Sequence, residues 1–178
     1  MKITNPFFRM TIALVAGAFA AFVGGTVLAD DAVVDHADKS FLQDAYVTNL
    51  AEIRMGEMAQ AKTGSPEVKA FAERMIAEHT KAGAEIKELA DNKKVNVSTE
   101  PTMVAQGKAR LADSKTGADY DKSFASDMVS DHKAAVEAFE KAAKDSKDPD
   151  VKALAEKMLP TLREHLSMAY GLQDKVGK

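Results

Sequence analysis

From Asp38 onward, apolar residues return at intervals of three and four, the spacing that places them on one face of an α-helix. Four such stretches follow one another. The first, about 39–62, carries Leu42, Ala45, Asn49, Glu52 with Ile53, Gly56 and Ala59 on one stripe. Thr63-Gly64 ends it, and Ser65-Pro66-Glu67 then supplies a capping hydroxyl, a proline at the first helical position and an acid in the first turn. The second stretch runs to about Lys93 with Val68, Phe71, Ala72, Met75, His79, Ala82, Ile86 and Leu89 facing inward. The third, about 118–145, aligns Phe124, Met128, His132, Ala135, Phe139 and Ala142. Asp148-Pro149-Asp150 starts the fourth in the same chemical manner as Ser65-Pro66-Glu67, and its stripe is Val151, Leu154, Ala155, Met158, Leu162, His165, Ala169 and Leu172.

Between the second and third stretches, Ser98, Pro101, Gly107 and Gly117 punctuate a long connection in which 102–113 has room for one short helix. Two hairpins with short turns, joined by such a crossover, predict an all-α fold: a ferritin-like four-helix bundle over residues 39–176. An internal repeat supports the wiring. Residues 65–76 and 148–159 align at an offset of 148 − 65 = 83 with seven of twelve positions identical, including the inward Met75 and Met158. Each hairpin alone leaves its apolar stripe bare, so the two must close on each other.

Residues 1–29 have a different pattern. Lys2 and Arg9 precede an apolar run from Met10 to Val23, and Val27-Leu28-Ala29 offers small residues for a signal peptidase. The run is short for a membrane span and is broken by Gly24-Gly25, which favours a cleaved signal peptide over an uncleaved anchor. Asp30 then begins the mature chain, with 30–38 as a loose acidic lead, and the expected location is periplasmic or secreted. No later stretch approaches the ~20 apolar residues of a membrane helix, so no membrane span is expected in the mature chain.

The full chain has 24 Lys and Arg against 27 Asp and Glu. Removing 1–29 takes two of the bases and none of the acids, and 22 − 27 leaves a net charge of −5. That balance argues against a nucleic-acid partner. The absence of cysteine excludes disulfides, thiolate zinc sites and iron–sulfur ligation. Any metal must be held by His, carboxylate or Met.

Four histidines occur, and each follows an acid: Asp35-His36, Glu78-His79, Asp131-His132 and Glu164-His165. The last three fall on the inner stripes of three different helices, whereas His36 lies in the lead and has no assigned role. Counted from the second hairpin turn, His132 and His165 stand within roughly 5 Å of one another along the bundle axis. Asn49 is level with His79, and Glu52 is one turn away. One layer therefore gathers Glu52, His79, His132 and His165, with Glu78, Asp131 and Glu164 on the flanks. Buried imidazoles are costly unless hydrogen-bonded or ligated, and neutral imidazole with one carboxylate suits iron or zinc. Met75, Met128 and Met168 lie near the histidines in sequence and would add copper, a weaker case because methionine at helical spacing is usually core filler. The competing reading of the layer is structural, a buried His/acid network that fixes helix register. In that case the chain is a metal-free envelope interaction or stress protein, and a homo-oligomer is open under either reading. Pro160, inside the fourth stretch, is expected to bend it just before His165. There is no phosphate loop or nucleophile elbow.

Several of these motifs together resemble a known family. Phe41-Leu42-Gln43-Asp44-Ala45, Ala51-Glu52-Ile53 with Gly56, the run from Val68 to Met75 followed by Glu78-His79, Asp131-His132, and Leu159-Pro160 followed by His165 carry the resemblance, which covers about Lys39 to Tyr170. The family consists of exported bacterial proteins of unknown function, described as predicted outer-membrane or ferritin-like proteins. The resemblance implies a helical bundle and assigns no activity. The sequence lacks the alternating ten-residue segments of an outer-membrane barrel. It also lacks the Glu-x-x-His pairs of ferritin di-iron sites, since Ile76, Val129 and Leu162 stand three residues before the three histidines.

Overall fold

The computed structural model describes residues 34–177. The expected signal peptide and the first residues of the lead lie outside them. Helices α1 (His36–Lys62), α2 (Pro66–Asn92), α3 (Met103–Asp113), α4 (Gly117–Asp145) and α5 (Pro149–Val176) account for nearly all of this span, with no strand among the described residues. The lead is shorter than expected. Asp35 accepts a hydrogen bond from the Asp38 amide and caps α1, so 36–38 form the first turn of a helix and not a loose segment. Asp38 itself is buried, because its carboxylate accepts from the amides of Lys147 and Asp148 and ties the start of α1 to the α4–α5 turn.

The two hairpin turns use one recipe. Ser65 accepts from the Val68 amide ahead of Pro66, and Asp148 accepts from the amides of Asp150 and Val151 after Pro149. In each case the cap satisfies amides that the first helical turn leaves without partners. α1 lies along α2 and α4 along α5, while α2 meets α5 and α1 meets α4, which closes a four-helix ring. α5 runs through Pro160 as one continuous helix.

The core is divided. One apolar cluster gathers Met55, Val68, Phe71, Met75, Tyr120, Phe124, Met128 and Leu172 with smaller neighbours. The other gathers Leu42, Ile86, Phe139, Val151, Leu154, Met158 and Leu162 among others. Each large side chain removed from water contributes about 1.5–3 kcal/mol, so both halves hold the bundle. Asn49, His79, His132 and His165 are buried, yet they belong to neither cluster. They occupy the level between them, one residue from each long helix.

Candidate metal centre

His79 comes from α2, His132 from α4 and His165 from α5, with 6%, 1% and 2% of their surfaces exposed. The ring centroids are 5.6 Å (79–132), 5.3 Å (79–165) and 5.3 Å (132–165) apart. Each ring offers one nitrogen lying within 4.8 Å of those of the other two.

Hydrogen bonds fix one nitrogen of each ring. Asn49 donates from Nδ2 to the His79 carbonyl at 2.8 Å, which orients its amide so that Oδ1 accepts from His79 Nδ1 at 2.9 Å. His132 Nδ1 donates to the Met128 carbonyl one turn back, at 2.9 Å. His165 Nε2 donates to Glu78 Oε2 at 2.5 Å, and Glu78 is steadied by Arg74, which also holds Glu164. With those protons assigned, the lone pairs fall on His79 Nε2, His132 Nε2 and His165 Nδ1. These are the three ring nitrogens that are buried without a hydrogen-bond partner. Three orphaned acceptors from three helices are the arrangement a cation satisfies. An ion with ~2.1 Å bonds to nitrogen would need tetrahedral ligands roughly 3.4 Å apart, somewhat closer than the 4.8 Å limit within which the three nitrogens lie.

Glu52 is not among the three-nitrogen group. It is 5% exposed, its Oε2 has no partner, and it lines the same cavity as the histidines. That cavity, about 880 Å³, extends from the histidine layer toward the α4–α5 turn between Phe41, Ala45, Ile86, Phe139, Met158 and Leu162. The flanking acids divide their roles: Glu78 orients a histidine on the neighbouring helix, Glu164 binds Arg74, and Asp131 pairs with Lys108. Met75 and Met128 sit in the other apolar cluster, and Met168 Sδ accepts from Arg74 at 3.1 Å, so none of the three lines the cavity. His36 is exposed beside Ser40.

Burial sets the charge states. Desolvation, reinforced by the two neighbouring rings, pulls His79 down to about 3, and desolvation lowers His132 to about 4. His165 is lowered by the same cause against the opposing pull of Glu78. Burial pushes Glu52 up to about 8, with repulsion from Asp131 adding to it. At neutral pH the three rings are uncharged and Glu52 is protonated. The two kinds of group act on stability with opposite sign. The unfolded histidines take up protons near 6.5 while the folded ones refuse them, so their contribution is complete above 6.5 and is lost as pH falls toward 3. The unfolded Glu52 ionises near 4.5, so its contribution is complete below 4.5 and is lost as pH rises to 8. Each proton changes stability by about 1.4 kcal/mol per pH unit. Urea midpoints of metal-free protein should therefore peak near pH 6.5, and Glu52→Gln should flatten the decline between 6.5 and 8. An identical alkaline decline in the variant would remove Glu52 as its source.

The model of the family described as "Domain of unknown function (DUF4142)" matches residues 25–172. The chain belongs to the DUF4142 family. No protein of curated function matches its sequence. Three solved structures share the fold of this DUF4142 protein. A DUF305 fragment from Deinococcus radiodurans aligns with a TM-score of 0.71 at 13% identity, covering 80% of this chain and 98% of that one. A DUF305 protein of Streptomyces coelicolor, named as a proposed secreted protein, gives 0.67 at 17% identity over 79% and 94%. CopM in its Cu(II)-bound form gives 0.66 at 19% identity over 78% and 96%.

Gly83 packs against the residues that orient His79, a role that sequence periodicity does not reveal. A Cβ at this position would meet Asn49 Nδ2 at 2.6 Å, so the bare backbone lets the Asn49 amide reach the His79 carbonyl. Its signal in the sequence is a glycine inside a helix, where alanine is favoured by about 1 kcal/mol. Gly83→Ala is expected to reverse that sign, lowering the melting temperature by a few degrees because Asn49 must leave its two bonds. A variant that melts at or above wild type would show that Asn49 moves aside without cost.

Proposed function

We propose that this DUF4142 protein is an exported transition-metal-binding protein holding one ion between His79, His132 and His165. The observation that carries the proposal is the set of three buried lone pairs, each on a ring whose other nitrogen is already committed. Three neutral imidazoles suit zinc, iron and copper. Copper gains support from the copper-bound CopM of the same fold, although Met75, Met128 and Met168 do not reach the cavity. Three protein ligands leave a further position for water or a solute, and the cavity beside the rings gives it space. Glu52, adjacent but outside the nitrogen triad, supplies a neighbouring carboxyl. Export is supported by the leader-like pattern of residues 1–29.

Untagged protein titrated with Zn²⁺, Co²⁺, Cu²⁺ and, under reductant, Cu⁺ should take up one equivalent of at least one ion. His79→Ala/His132→Ala should lose that equivalent. Failure of every ion to bind would return the layer to a structural role and the protein to the metal-free envelope reading.

A further inference from the structure

The cavity beside the histidine layer takes its apolar lining from all four long helices. Phe41 and Ala45 come from α1, Ile86 from α2, Phe139 from α4, and Met158 and Leu162 from α5. Phe41 meets Phe139 edge to face with ring centroids 4.9 Å apart, an aromatic pair that bridges α1 and α4. At about 880 Å³ the space is that of a small-molecule pocket. At the histidine layer the lining changes character, because His79 Nε2, His132 Nε2 and His165 Nδ1 are buried there without partners. The other nitrogen of each ring is committed to Asn49, the Met128 carbonyl and Glu78 respectively. The layer therefore presents three acceptors to an apolar chamber, and an organic occupant must bring three donors on an apolar body. A primary ammonium has three N–H donors and no acceptor, whereas a hydroxyl brings one donor and a carboxylate none. With N–H···N distances of ~2.9 Å, a tetrahedral ammonium separates its three acceptors by roughly 4.7 Å. That value is close to the 4.8 Å within which one nitrogen of each ring lies.

We propose that the cavity binds a primary amine with an aliphatic or aromatic body, its ammonium donating to His79, His132 and His165 and its body lying among Phe41, Ile86, Phe139 and Leu162. A buried cation needs a nearby acid, and Glu52 lines the same cavity with its Oε2 buried and unpartnered. Metal ion and amine are alternative occupants of the same three lone pairs. The amine site rests on the cavity and its acceptors, and does not depend on the metal-binding function proposed above.

Hexylamine is the probe, titrated calorimetrically into metal-free protein with chelator present, at neutral pH where the amine is protonated. One equivalent should bind. Methylamine has the head without the body, and hexyltrimethylammonium has the charge and the body without an N–H. Each should bind at least about tenfold more weakly than hexylamine, for lack of apolar burial in the first case and of hydrogen bonds in the second. Hexylamine should lose at least about tenfold in affinity for His132→Leu, which removes one acceptor. The proposal fails if hexylamine does not saturate the protein, if either analogue binds as tightly, or if His132→Leu keeps the wild-type affinity. The analogues decide the matter on the unaltered chain should the variant not fold. With metal excluded, the result is separate from the metal titration: absent amine binding leaves metal uptake untouched, and absent metal uptake leaves the amine result standing.

Discussion

Metal-free protein carrying His132→Leu is expected to melt several degrees higher than metal-free wild type, and to lose the stabilisation that metal gives the wild-type chain. His132 is 1% exposed and leaves Nε2 buried without a partner, a deficit of about 1–3 kcal/mol. Its other nitrogen donates to the Met128 carbonyl, a helical acceptor. Leucine at this position removes the orphan, joins the apolar clusters above and below, and costs that single side-chain bond. For a domain of this size each kcal/mol moves the melting temperature by roughly 2–4 °C. Adding an ion at a hundred times its dissociation constant should stabilise wild type by about 2.7 kcal/mol and leave His132→Leu unmoved. The measurement is a pair of melting curves, chelated and metal-loaded, for each protein. A structural polar layer predicts the reverse sign, with the leucine variant melting lower because helix register has lost a determinant. Residues kept for binding at the expense of the empty fold behave in the first way.

The fold was legible because each helix boundary carries its own chemistry. Ser65-Pro66 and Asp148-Pro149 start helices in the sequence and do so in the structure. The start of α1 is not legible in the sequence, because Asp35 and Asp38 have the pattern of solvated lead residues. Their roles, one a cap and the other a buried acceptor for the distant α4–α5 turn, depend on tertiary contact that periodicity does not encode. The histidine layer was legible for a related reason: inward position and height follow from helical geometry alone. What geometry at that level does not give is the partner of each nitrogen. Asn49 aligns with His132 in the internal repeat, because 49 + 83 = 132, and the pairing of its amide with His79 and the glycine that admits it appear only with the helices in contact. Glu52 follows Asn49 by one turn of α1, and its carboxyl lines the same cavity without belonging to the nitrogen triad.

Glu78→Gln should lower metal affinity by about 10- to 100-fold, the usual cost of losing the group that orients a ligating histidine, while leaving the stoichiometry at one. Glu78 is the one partner of His165 Nε2, at 2.5 Å, and it is itself clamped by Arg74 at 2.8 Å. The carboxylate does two things to the imidazole. It places the ring proton on Nε2, so that Nδ1 presents its lone pair to the other two rings, and it raises the electron density available at Nδ1. Glutamine keeps the size but gives up the charge, and its amide nitrogen offers a donor that favours the opposite tautomer, with the proton on Nδ1 facing the cluster. Competition titration against a chelator of known affinity reads the change directly. Metal-free stability should shift little, because Glu78 is partly exposed, with 29% of its side chain accessible, and water replaces what it loses. An affinity within twofold of wild type would mean that His165 is held by its packing alone, and would remove it from the ligand set or make its orientation independent of Glu78.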